Sequence, residues 1–149
     1  YYLFEDLYLG YCAKRRQANR FCLSMKDADV IVSQLQRFVQ LTRVPPENEG
    51  KYSALNLCTL SKYGTLEFRA LEGTNDWNKL YTWIRAIMAL RKAGKDIGTL
   101  TKLREKSAQE LVDLMFPTDR LKQQFVKGDV EDIFKMNRSL LSLPLSFGE

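Results

Sequence analysis

Glu67 and Arg69 stand two positions apart in GTLEFRALEGT (64–74), between Leu66, Phe68 and Leu71, downstream of Asn56 in KYSALNL (51–57). Side chains two apart on a strand share a face, so a carboxylate and a guanidinium would be held side by side on a rigid support. That pairing suits phosphate chemistry. Mg²⁺ takes one or two carboxylates and keeps substrate phosphates and water as its other ligands, while Arg offers phosphate a planar fork. The same pattern also describes the wet face of an antiparallel sheet, where opposite charges need no further reason. Both readings stand at this point.

The elements that must hold these residues are legible from period and punctuation. Alternation predicts strands near 52–58 and 65–71, joined across TLSKYG as a hairpin. If Cys58 and Thr65 close the loop, Asn56 lies across from Glu67 and Ala54 from Arg69, with the small Ala54 leaving room on the polar face. Leu55, Leu57, Leu66 and Phe68 form the opposite face, expected to pack on the helix that begins near Trp77. That helix reads as capped by Thr74 or Asn75, with Asp76 in its first turn. Trp77, Leu80, Tyr81, Ile84, Ile87 and Met88 form its core stripe, and Gly94 is its stop. Trp83 is expected in the core as well.

Around this centre the chain reads as helical. Leu3, Leu7 and Tyr11 share one helical face within 3–12, and the basic loop KRRQANR (14–20) follows. Ser24 and Asp27 resemble a helix start for an amphipathic helix over about 26–42, which RVPPENEG (43–50) ends. SAQE (107–110) is a capping-box pattern before a short helix closed by Pro117, and two further helices are expected over 118–126 and 129–141. The expected fold is therefore α+β: a central antiparallel hairpin on amphipathic helices, as a single domain over 1–149 with a core of 1–97 and a helical tail of 98–149. The apolar, proline-broken LLSLPLSFGE reads as a segment that docks on another surface.

Composition narrows the chemistry further. A chain of 149 residues with 45% apolar content suffices for one core. Histidine is absent, which removes imidazole acid–base chemistry and His-containing metal sites. The three cysteines, Cys12, Cys22 and Cys58, lack a CxxC spacing and read as buried thiols in a reducing compartment. A net charge of +5 is compatible with nucleotide phosphates or nucleic acid and selects neither. With no run long and apolar enough to span a bilayer and no leader-like opening, the expected location is cytoplasmic, without membrane association. The start at Tyr1 rather than Met suggests a processed product or a piece of a longer polypeptide.

The stretch KYSALNL…GTLEFRALEGT, followed by WNKLYTWIRAIMALRKAG and preceded by RRQANRFC, resembles the C-terminal core of the amidoligase family of phages and bacteria. These are carboxylate–amine ligases similar to glutamine synthetase and glutamate–cysteine ligase. The resemblance is strongest over 51–93 and fainter over 5–42. It implies part of a glutamine synthetase-like sheet, and an ATP- and Mg²⁺-dependent reaction that forms an amide through an acyl phosphate. The partners it implies are an amino-acid or peptide substrate carrying a carboxylate and an amine. Under it Glu67 would bind Mg²⁺, and Arg69 would hold nucleotide or transferred phosphate with Lys51 beside it. Asn56 would orient the substrate or Arg69, while Arg16 and Asn19 would touch the acidic substrate. The resemblance also implies further metal-binding carboxylates on preceding strands, which a segment upstream of Tyr1 or a partner chain would supply. A phage-encoded chain would reside in host cytoplasm or virion. The alternative is a non-catalytic structural or interaction protein, for example of a phage particle, whose basic loop of Lys14, Arg15, Arg16 and Arg20 contacts nucleic acid or protein.

Overall fold

The computed structural model describes residues 1–17, 19–27 and 51–142. The expected helix over 26–42, the loop 43–50 and the apolar end beyond 142 lie outside these residues, apart from its first residues, where Asp27 N–H donates to Ser24 Oγ at 3.3 Å in a turn.

The fold is mixed and helix-rich, with a small two-stranded antiparallel sheet. Its helices are α1 (Glu5–Tyr11), α2 (Thr59–Tyr63), α3 (Trp77–Ile97), α4 (Leu100–Arg104), α5 (Ala108–Met115), α6 (Asp119–Phe125) and α7 (Val130–Ser142). The strands are β1 (Leu55–Asn56) and β2 (Glu67–Phe68). The expected strand spans 52–58 and 65–71 shrink to these two pairs of residues. The register is the expected one, with Leu55 opposite Phe68 and Asn56 opposite Glu67. Arg69 N–H also donates to Ala54 C=O at 2.8 Å, which continues the ladder one step. The TLSKYG connection folds as the short helix α2 instead of an extended hairpin loop. It ends at Gly64, whose φ of 66° is the left-handed cap conformation open to glycine at little cost.

Two further sequence expectations are corrected. Leu55 packs with Met25, Tyr1, Tyr2, Leu57 and Phe68 instead of the main core, Phe68 also borders the main cluster that holds Trp83 and Ala86 of α3, and Leu66 is exposed. Tyr1, Tyr2 and Met25 lie around Leu55, and Leu23 is joined to the same strand region: its N–H donates to Tyr52 C=O, and Ala54 N–H donates to Leu23 C=O. Ala54 consequently leaves no space on the polar face; it is fully buried in the core.

Helix α3 is capped by Asp76, whose side chain accepts from Lys79 N–H, and it runs through Gly94 to stop at Gly98, where φ is 71°. A glycine ends a helix when the chain turns left-handed there, and Gly94 keeps helical geometry. The buried face of α3 carries Thr82, Trp83, Ala86 and Ala93. The expected core stripe is split: Trp77, Tyr81, Ile84 and Met88 are 74%, 48%, 49% and 57% exposed, whereas Leu80 and Ile87 are half-buried, Ile87 against the core, and Trp83 is buried as expected.

The core centres on Tyr8 of α1. Its ring lies 6.0 Å from Trp83 edge-on, 5.4 Å from Phe116 and 5.6 Å from Phe125. Tyr11 stacks on Phe125 at 4.3 Å, and Phe4 on Phe134 at 5.7 Å. Residues beyond 97 thus share one apolar cluster with α1 and α3. Ser107 and Glu110 form the expected capping box at the start of α5.

Candidate functional site

Strand pairing sets the site. Because Asn56 and Glu67 are directly opposed, Asn56 Nδ2 donates to Glu67 Oε2 at 2.8 Å. Arg69, two residues along, donates from Nη2 to the same oxygen at 3.1 Å. Its Nε lies 3.0 Å from Glu67 Oε1 as an ion pair without hydrogen-bond alignment. The three groups therefore converge. The Arg69 and Asn56 hydrogen bonds hold the Glu67 carboxyl below the usual carboxylate range, against a smaller opposing effect of burial.

The convergence is itself a closed arrangement. Asn56 is buried, and its second amide atom, Oδ1, accepts from Cys58 N–H at 2.9 Å, so this amide is spent on shaping the turn into α2. Glu67 keeps 44% of its side chain exposed, which leaves carboxylate lone pairs open to solvent. A cation could use that edge together with phosphate oxygens and water, the combination Mg²⁺ accepts. Among the described residues no group of three or more acidic or thiol side chains is placed to hold a metal, so Glu67 would contribute one ligand. To reach a phosphate, the Arg69 guanidinium would have to leave Glu67 in part.

Beside the end of β2 lies an open cavity of about 390 Å³ lined by Arg15, Arg16, Asn19, Leu71, Glu72 and Gly73. Arg16 and Asn19, singled out in the basic loop, are thus brought together. Arg16 also ties the loop to the sheet by donating to the carbonyls of Arg69 and Ala70. Asn19 Oδ1 accepts from Phe21 N–H at 2.9 Å. Glu72 escaped the sequence reading although it lines this cavity. It accepts from Ala13 N–H at 2.9 Å and pairs with Lys79. Burial pushes its carboxyl up, but the Lys79, Ala13 and local backbone hydrogen bonds outweigh it and hold the group down at about 2. The available signal was its place two residues past Ala70 in the same charged stretch.

Lys51 does not join the Glu67 cluster. Its ammonium sits 5.1 Å from the centre of the Tyr52 ring, Tyr52 meets Phe21 edge-on at 5.5 Å, and the Arg20 guanidinium lies 4.6 Å from the Phe21 ring centre. Cys12, Cys22 and Cys58 are buried as expected, with burial foremost in pushing the Cys12 thiol up to about 12. Among the described residues no helix is long and apolar enough to cross a membrane.

Against this geometry, known protein families, curated proteins and solved structures offer no match to the chain.

Proposed function

We propose that the chain carries part of the site of an ATP-dependent carboxylate–amine ligase, of the amidoligase kind, on a glutamine synthetase-like framework. The observation that carries this reading is the convergence of Asn56, Glu67 and Arg69 in the register that the strand pattern requires. ATP with Mg²⁺ would supply the phosphoryl group that activates a carboxylate. Glu67 contributes one cation ligand, Arg69 neutralises phosphate charge, and Asn56 fixes the Glu67 carboxylate between them. The cavity of Arg15, Arg16 and Asn19 beside β2 has the charge to receive an amino acid or peptide through its carboxylate. Such work is positioning and charge neutralisation, which suits a chain without histidine.

Calorimetry of a non-hydrolysable ATP analogue with Mg²⁺ tests it, on the wild type and on Glu67→Gln and Arg69→Ala. Binding in the wild type that is lost in both variants, with circular dichroism unchanged, is the expected result. No heat with the wild type removes the nucleotide from the reading.

A second reading has its own observation. Phe21 and Tyr52 are exposed, in contact, and flanked by Arg20 and Lys51. Aromatic faces bordered by cations stack single-stranded bases with strong salt dependence. Under this reading the chain is a non-catalytic interaction protein. Binding of a fluorescent oligonucleotide that weakens steeply with salt and is lost in Phe21→Ala would favour it.

A further inference from the structure

The outer face of α3 is built from two chemically different halves on one line. Trp77, Tyr81, Ile84 and Met88 follow steps of four, three and four residues, the spacing of a coiled-coil seam. All four are exposed, directly opposite the face that Trp83, Ala86 and Ala93 bury. The next seam positions, seven residues beyond Ile84 and Met88, are Arg91 and Lys95, both exposed. Arg85 borders the apolar half with its guanidinium 6.0 Å from the Tyr81 ring centre, and Lys92 borders the basic half, paired to Asp96 at 2.5 Å.

We propose that this face docks an acidic amphipathic helix from a partner protein. Its apolar seam would cover Trp77 to Met88, a length of about 16 Å, and its carboxylates would meet Arg91 and Lys95. Three features select that occupant. The four large apolar groups form a narrow ridge, which matches a helix seam, whereas a membrane surface asks for a broad apolar face. The seam runs on into cations, so the complementary surface is acidic at one end. A chain of net charge +5 with this basic half exposed opposes a second copy of itself. The proposal is independent of the ligase reading, since α3 turns this face away from the core and the Glu67 cluster lies on the hairpin.

The test uses the full chain and two synthetic helical peptides of equal length. Both carry leucine at the seam positions of one half; one carries glutamate at the remaining seam and flanking positions, the other lysine. Calorimetry is expected to show binding of the glutamate peptide, together with a blue shift of tryptophan emission as Trp77 leaves water. Ile84→Asp and the double variant Arg91→Glu/Lys95→Glu should each weaken binding at least tenfold, with circular dichroism unchanged. Equal binding of the lysine peptide, or no binding of either, overturns the proposal. So does dimerisation by sedimentation that Ile84→Asp abolishes, or binding to anionic phosphatidylserine vesicles that displaces the peptide.

Discussion

Asn56 and Glu67 face one another across β1 and β2, and the same Glu67 oxygen that accepts from Asn56 accepts from Arg69. A strand pair only two residues long has little ladder of its own, so this three-way contact supplies part of its cohesion. The carboxylate that would serve a cation is also the one that pins the hairpin.

The first prediction follows from that dual role. Glu67 is held below its ordinary pKa, so its contribution to stability is present above the unfolded value near 4.5 and is lost as pH falls through the folded value. Arg69→Ala removes the largest cause of the shift, and the Glu67 carboxyl should titrate higher. An NMR titration of that side-chain carbon in both proteins checks it; an unchanged midpoint would show that the ion pair is not formed in solution.

Glu5 has the opposite sign. It is fully buried on α1, where Oε2 accepts from Met25 N–H at 2.7 Å and Oε1 has no hydrogen-bond partner. Burial pushes its carboxyl up to about 7, opposed by the Met25 hydrogen bond and by Lys26. A carboxyl raised in the folded state binds its proton more tightly there, so stability falls as pH rises from the unfolded value of 4.5 towards 7. Glu5→Gln retains an acceptor for Met25 and removes the charge. It should flatten that slope and add on the order of 1 kcal/mol at pH 8, read from urea midpoints across the pH range.

Glu72 ties the start of the basic loop to α3 through Ala13 and Lys79. With its carboxyl held at about 2, its contribution is fully present above 4.5 and disappears as pH falls from there to 2. Glu72→Ala should therefore lower the thermal midpoint at pH 7 by a few degrees, on the order of 1–2 kcal/mol, and the deficit should close in acid. Scanning calorimetry at pH 7 and pH 2 measures both.

The two glycines at the end of α3 should respond in opposite directions. Gly94 is helical and a Cβ there meets nothing within 4 Å, so Gly94→Ala is expected to stabilise by about 0.5–1 kcal/mol. Gly98 holds φ at 71°, so Gly98→Ala should cost about 1 kcal/mol. Equal shifts of the two variants would contradict the observed helix end.

Alternation over 51–71 contained the register of the hairpin, because a slip by one residue would turn Glu67 and Arg69 to the other face. It did not contain the strand lengths or the packing partner, since those depend on residues 23–25 arriving from elsewhere in the chain. Helix α3 shows the limit most plainly. Apolar residues recur on two of its faces, and periodicity chose the larger set, Trp77 to Met88. The core took Trp83, which was expected there, together with the small Thr82, Ala86 and Ala93 and the flank of Ile87, and on this side α3 packs with α5. Asn56, Glu67 and Arg69 were legible as a cluster for the same reason as the register. Glu72 was not, because its partners Ala13 and Lys79 are joined to it only by tertiary structure.

The stacking of Phe4 on Phe134 has a consequence for the order in which the chain folds. Phe4 lies in the opening turn and its stacking partner in α7, so that contact closes across nearly the whole described chain, whereas Tyr1 already meets Tyr8 and Phe68. Tyr8 meets Tyr1 and Trp83 within the residues up to the end of α3 but needs Phe116 and Phe125 to complete its enclosure. Closure around Tyr8 therefore depends on contacts far apart in sequence, and a chain cut after α3 should be more open to protease at Tyr8 than the full chain.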